Sequence, residues 1–304
     1  MQRRPDSVSR QSLADWAVQP ERGNRLVLLF FVRLALGLGR PAARCFLYPI
    51  CAYFLLFAAK ARAASKDYLR RALAREPRVG DVYRHFLAFA STILDRVFLL
   101  KGRYAQLDIR THGEDIVADT VARGEGCFLL GAHMGSFEVM RSLGDNAHGL
   151  RVSLVMYEEN ARKLNSVLEA VKPDIGLHII ALGKVDAMLK VEQALERGEF
   201  VGMLGDRTIV GEGAVTCTFL GGAAQFPSGP FRLAAMLGRP IVLMFGLYRG
   251  GNRYDIHFER LPEPPPGAHR GARMEQWVQS YVARLEHYSR QAPYNWFNFY
   301  DYWK

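Results

Sequence analysis

The sequence predicts an α/β fold, a largely parallel central sheet flanked by helices, with an N-terminal helical segment suited to associating with a membrane. Three observations carry this expectation. From residue 127 onward, short apolar runs alternate with helix-like stretches across short links, the pattern from which parallel sheets are built. Residues 26–59 hold two apolar runs split by a basic turn. The charge is also lopsided, since residues 1–110 carry 20 Lys and Arg against 8 Asp and Glu, while the remaining 194 residues carry 20 against 22. Basic residues mixed with apolar runs suit an anionic lipid surface, whereas nucleic-acid binding would set them among exposed aromatics on one folded face. A chain of 304 residues has room for a substantial core in one large or two small domains. Three parts are expected: a polar segment over 1–24, a membrane-associating hairpin or anchor over 25–60, and an α/β domain over 61–304.

Residues 1–24 are polar and basic, with Trp16 the one large apolar side chain, and predict a loose segment or a short interfacial helix. Residues 26–38 are apolar apart from Arg33, and 45–59 run fifteen residues without a charge, broken by Pro49. Neither run reaches the about 20 residues that span a bilayer as a helix. Two apolar helices joined by the basic stretch 39–44 suit a hairpin dipping into one leaflet, its arginines at lipid phosphates. A single-pass anchor and a pair of buried core helices are the alternatives. A signal peptide fits less well, because the run begins late and lacks a small-residue cleavage site.

Residues 60–78 predict a basic surface helix, and 81–101 an apolar one with Phe86, Phe89, Ile93, Val97 and Leu100 on one face. An edge strand is expected at 106–111 and a helix at 114–123. Strands at 127–130, 150–156, 177–181 and 200–204 then interleave with helices at 160–171 and 185–197. Residues 215–222 and 226–230 form a Gly- and Pro-rich block, followed by a short helix at 231–237 and a buried strand within 238–245. An alternating partner strand at 254–261, a rigid loop at 262–267 and an amphipathic helix at 273–290 close the domain, and 293–303 form an aromatic tail. Cys45, Cys51, Cys127 and Cys217 show no Cys-x-x-Cys spacing and read as reduced core residues, with neither a disulfide framework nor a zinc site.

The stretch after the first buried strand, Gly131-Ala-His133-Met-Gly135-Ser-Phe-Glu138, sets an imidazole and a carboxylate beside a strand-to-helix turn. On one regular helix the two would lie about 140° out of phase. With His133 in the turn and Glu138 in the first helical turn, capped by Ser136, the carboxylate can reach back to one ring nitrogen. The other nitrogen is then a general base for a hydroxyl or a water. The competing reading makes His133 a turn residue and Glu138 an acid favoured by the helix dipole. Neither Gly-x-Ser-x-Gly nor a Gly-x-Gly-x-x-Gly after a strand is present, which weakens the serine-hydrolase and dinucleotide readings.

The stretch from His133 to Glu138 resembles the His-x-x-x-x-Asp/Glu signature of the glycerolipid acyltransferase superfamily, and with its flanks it is most similar to the late acyltransferases of lipid A biosynthesis. The similarity runs from about Gly113 to the C-terminus. It implies that His133 deprotonates an acceptor hydroxyl and that Glu138 orients it. Arg207, at the end of the strand 200–204, suits a phosphate of a lipid or of the donor's phosphopantetheine, with Asp206 holding it. The stretch from Phe226 through Ser228 and Gly229 resembles the Phe-Pro-Glu-Gly loop of glycerol-phosphate acyltransferases. Ser228 replaces the Glu, which argues against a glycerol-phosphate acceptor. The Phe219 to Gly222 element is similar to a Phe-x-Gly element of the lipid A branch, and Gly221 and Gly229 could bring backbone N–H groups to the reacting thioester. The tail carries Phe297-Asn298-Phe299-Tyr300 where that branch has a basic segment, and looks more like the relatives encoded with aryl-polyene or other glycolipid pathways.

The resemblance implies an acyltransferase at the cytoplasmic face of a bacterial inner membrane. It would move a fatty acyl group from an acyl carrier protein or coenzyme A thioester to a hydroxyl of a lipid A-like or other glycolipid, with no metal, bound cofactor or nucleic acid. The alternatives are a thioesterase-like hydrolase and a non-enzymatic membrane lipid-binding protein.

Overall fold

A computed structural model describes residues 25–140, 151–157, 178–182, 186–208, 213–264, 267 and 269–303. The polar N-terminal segment and the helix expected at 160–171 lie outside them.

The fold is mixed α/β, and its central sheet has seven strands in the order β1-β9-β8-β2-β5-β3-β4. These are β1 (Asp108–His112), β2 (Cys127–Gly131), β3 (Val152–Tyr157), β4 (His178–Leu182), β5 (Phe200–Leu204), β8 (Ile241–Gly250) and β9 (Arg253–Arg260). Every pairing is parallel except β8 with β9. β2 is buried at all five positions, as an unbroken apolar run between glycines requires of a central strand. β9 alternates buried and open side chains, as its sequence predicts for a strand nearer the edge.

The block at 214–227 stands apart from the central sheet. It is an antiparallel hairpin of β6 (Ala214–Phe219) and β7 (Gly222–Pro227). Its two-residue turn, Leu220 and Gly221, has positive φ at both positions, the type I′ geometry that matches strand twist. Leu220 rarely adopts that conformation; it is held there by a buried side chain and by its N–H donating to Glu286 Oε2 at 2.7 Å.

Among the described residues five helices precede the sheet: α1 (Arg25–Leu38), α2 (Arg40–Cys45), α3 (Leu47–Phe57), α4 (Ala59–Leu73) and α5 (Val79–Leu100). The stretch expected as a membrane-associating hairpin or anchor forms three helices, two from its apolar runs and one from the basic stretch between them, with breaks at Gly39 and Phe46. Among the described residues no single helix is long and apolar enough to cross a membrane, although the stretch Arg40–Phe57 and α4, bent by 95°, pass that test together. The basic surface helix stops at Leu73, where Ala74 turns left-handed, earlier than its sequence suggests. The predicted apolar face of α5 divides: Phe86 and Leu100 are buried, while Phe89 and Ile93 stay open on a groove described below.

These helices are tied to the sheet by buried charge. Arg40 of α2 donates Nε and Nη2 to Asp95 of α5 at 2.6 and 2.8 Å, and Nη2 also reaches the Gly251 carbonyl at 2.6 Å. Tyr254 of β9 donates its hydroxyl to the same carboxylate at 2.8 Å. Both charges are taken out of water, so their value lies in being paired. The remaining helices among the described residues are α6 (Glu114–Ala122), α7 (Ala187–Glu196), α8 (Gly229–Leu237) and α9 (Arg270–Gln291). Asp95→Ala would strand the buried guanidinium of Arg40, and urea unfolding is expected to register a loss of about 3–5 kcal/mol.

Candidate active site

β2 and β5 are adjacent and parallel, with Gly131 opposite Leu204. Two residues beyond each of these, the chains place His133 and Asp206 side by side. The Asp206 side chain is 1 % exposed, and it accepts three hydrogen bonds. The His133 backbone N–H donates to Oδ2 at 3.1 Å, the His133 ring engages Oδ1 through Nδ1 at 2.9 Å, and the Trp296 indole N–H donates to Oδ2 at 2.9 Å. A carboxylate can only accept, so Nδ1 carries the hydrogen and Nε2 keeps its lone pair.

Burial by itself would push the Asp206 carboxyl up; the charges of His133 and Arg207 and the Trp296 donor outweigh it and bring it down to about 2. His133 is moved below its ordinary 6.5, first by burial and then by the charge of Arg207, with Asp206 pulling in the other direction. The imidazole is therefore neutral at neutral pH and available to accept a proton. Its ring is seated deep, yet 34 % of the side chain remains open.

The ring opens on a cavity of about 560 Å³. Its walls are mostly apolar, with Leu154, Met156, Leu182 and Met236 among them, while Arg96, Glu138, Arg207 and Arg232 supply charge. Three guanidinium groups facing one carboxylate favour an anionic ligand. The volume and the sparse polar groups on an apolar wall are those of a small-molecule or acyl-chain site.

Glu138 does not hold Nδ1. The turn after His133 is not the start of a regular helix: Met134 bridges to Trp296 and Gly135 to Gly246. Gly135 has φ +59°, and a Cβ there would collide with the Gly246 carbonyl oxygen. That path carries Glu138 into a 3₁₀ turn (Glu138–Met140), where it pairs with Arg96 of α5 at 2.6 Å and accepts from Ser136 Oγ at 3.2 Å. Glu138 lines the cavity, and the acid on the imidazole comes from the neighbouring strand.

The other expected site residues are dispersed. Arg207 lines the cavity, donates Nη2 to the Phe297 carbonyl at 3.0 Å and sits 5.5 Å over the Tyr300 ring; Asp206, expected to hold it, serves His133. Gly229 forms part of the wall at the start of α8. Ser228 is buried and donates its hydroxyl to the Gly213 carbonyl at 2.8 Å, a structural bond. Gly221 is at the exposed tip of the β6–β7 hairpin, away from the cavity walls.

The aromatic tail contributes what the spacing of motifs did not suggest. Phe297 N–H donates to the His133 carbonyl at 2.8 Å, and the Tyr302 hydroxyl donates to the Asp206 carbonyl at 2.9 Å. Asn295 accepts from Gly135 N–H at 2.9 Å and exchanges side-chain bonds with Tyr248 at 2.7 and 3.0 Å. Its density of Trp, Tyr and Asn was the available signal, since such side chains are buried only with partners for their polar atoms. Among the described residues no three metal-ligating side chains converge on this cavity.

An NMR titration of the imidazoles tests this geometry: His133 is expected to titrate below 6.5, and Asp206→Asn to lower it further, because the carboxylate is what raises it.

A family model described as Bacterial lipid A biosynthesis acyltransferase matches residues 26–304 of the chain. Comparison with curated proteins gave no match.

Proposed function

The chain belongs to the bacterial lipid A biosynthesis acyltransferase family, and from that premise we propose that it transfers a fatty acyl group from a thioester to a lipid hydroxyl with His133 as the base. The family is one of acyl transfer to a lipid acceptor; the donor, the acceptor and the residue roles are our reading. The observation that carries it is a neutral imidazole, backed by a buried carboxylate, whose free nitrogen opens on an apolar cavity with cationic walls.

In this reading the acceptor hydroxyl gives its proton to His133 Nε2 as its oxygen attacks the thioester carbonyl. The new C–O bond forms, the tetrahedral intermediate collapses with cleavage of the C–S bond, and the imidazolium returns the proton to the departing thiolate. Asp206 fixes the ring's tautomer and offsets the charge of the imidazolium. The start of α8, at Gly229 and Pro230, presents its positive end to the developing oxyanion. Arg207, Arg232 and Arg96 favour the phosphates of a lipid headgroup or of an acyl carrier protein or coenzyme A donor, and the apolar wall suits the acyl chain. Ser228 and Gly221 have structural roles in this scheme, and Glu138 holds Arg96 at the cavity mouth.

The same proposal includes a membrane surface, at the cytoplasmic face of the inner membrane. Between Phe46 and Phe57 there is no charged residue, and Phe46, Tyr48, Ile50, Tyr53, Phe54, Leu56 and Phe57 are all exposed. A contiguous exposed apolar patch flanked by Arg44, Lys60 and Arg62 fits an interfacial helix on anionic lipid. Beside it, an apolar groove of about 560 Å³ runs between α1, α3 and α5, lined by Leu38, Phe54, Phe89 and Ile93 among others.

With purified protein, a thioester donor and a lipid acceptor, His133→Ala is expected to lower transfer by about 10²–10⁴-fold with an unchanged unfolding midpoint; undiminished turnover would remove His133 as the base. Release of free fatty acid without acylated lipid, in the presence of acceptor, would instead identify a hydrolase. The base acts in its neutral form and burial with the Arg207 charge lowers its pKa, so the acid-side decline of kcat/KM is expected at lower pH than for an ordinary imidazole. Replacing both Phe54 and Phe57 with Glu is expected to abolish co-sedimentation with anionic vesicles while leaving thermal stability intact, both side chains being exposed.

A further inference from the structure

The far edge of the sheet holds a second cluster of chemically competent side chains. β1 has one neighbour, β9, and their parallel register sets His112 directly opposite His257. Asp255 lies two residues before His257 and therefore on the same face. One nitrogen from each imidazole and one Asp255 oxygen all fall within 4.8 Å of one another. The two rings lie nearly parallel, with centroids 4.5 Å apart. None of the three residues lines the cavity that His133 opens on.

Two further observations point to a ligand. His257 Nε2 and Asp255 Oδ1 are sealed from solvent and make no hydrogen bond among the described residues. A buried polar atom left without a partner is costly, and a pair of them on two members of one cluster suggests that something else supplies the bond. The second oxygen of Asp255, Oδ2, accepts from Arg249 Nε at 2.7 Å, which fixes the carboxylate plane, while Arg253 Nε stands 4.0 Å from Oδ1 without bonding to it. Metal-binding carboxylates are commonly steadied by such an outer partner.

We propose that His112, Asp255 and His257 bind a divalent transition-metal ion that clamps the edge strand β1 to β9. Two imidazoles and a carboxylate are a donor set suited to zinc and its neighbours in the first transition row. With metal–ligand bonds of about 2.0–2.2 Å, tetrahedral binding needs ligand atoms roughly 3.3–3.6 Å apart. From separations of up to 4.8 Å the three atoms close by at most about 1.5 Å, and His112, exposed at the sheet edge, turns out of its stack on His257 to do so. Its exposed side leaves the fourth position to water. The clamp serves a strand whose sheet pairing is confined to five residue pairs with β9.

The test uses the full-length, tag-free chain, stripped with a chelator and dialysed. Calorimetric titration with zinc is expected to give one equivalent per chain, and cobalt a visible absorption band typical of tetrahedral nitrogen and oxygen ligation. His112→Ala, at an exposed position that does not threaten folding, is expected to lose both signals and the rise in melting temperature that zinc gives the parent protein. Stoichiometric binding that survives in both His112→Ala and Asp255→Asn, or no binding by the parent chain, would overturn the proposal. Acyl transfer by His112→Ala is expected to match the parent, which separates this site from the one at His133.

Discussion

The buried carboxylate of Asp206 is the group on which the arrangement around it depends. It is removed from water, and it remains ionised because a backbone N–H, an imidazole and an indole all donate to it. Each of these bonds is charge-assisted, and each fixes a different part of the molecule. The backbone bond sets the turn after β2, the ring bond sets the tautomer of His133, and the indole bond seats the C-terminal tail. Removing the carboxylate would loosen three elements at once, so it is a structural keystone and also the group that tunes the imidazole.

Sheet register delivers that carboxylate to its place. Parallel neighbours keep step, so residues at equal distances past the ends of β2 and β5 meet at the same rim. The backbone after His133 is pressed against β8 at the Gly135–Gly246 crossing, where no side chain fits. This close approach keeps the chain from entering a helix at Ser136 and sends Glu138 across the cavity to Arg96. One wall of the site is therefore made by β3, β4 and β5, a second by α8, and a third by the turn after β2 with Arg96 of α5, while the tail braces that turn from behind. The N-terminal helices reach the same body through the Arg40–Asp95–Tyr254 cluster. Their exposed apolar side chains are thus held at a fixed place relative to the cavity.

Much of this was legible in the sequence. The apolar run of Cys127 to Leu130, bounded by glycines, suited a strand buried on both faces, and the alternation that follows implied parallel neighbours. The three-residue advance of charge and apolar side chains marked α5 and α9. His133 stood out because it follows a buried strand within a glycine-rich turn, and Arg207 because it follows another. These are local signals, produced by periodicity and by the few residues that can turn a chain sharply, and local signals survive in one dimension.

The partner of His133 was not legible, since Asp206 is 73 positions away and its role depends on which strands are neighbours. Spacing left the role of Glu138 open and the family resemblance pointed to it; the Gly135–Gly246 contact shows why nearness along the chain does not become nearness in space here. The same reasoning applies to Trp296, Asn295 and Tyr302, whose polar atoms become partners of the turn only when the tail folds back across it, and to His112 and His257, brought opposite each other by strand register. The sequence by itself determined which segments are strands and helices and which residues could act on a proton. The tertiary structure decided which acid meets which base, because that choice is made by long-range packing and strand order, and neither leaves a trace in the spacing of residues along the chain.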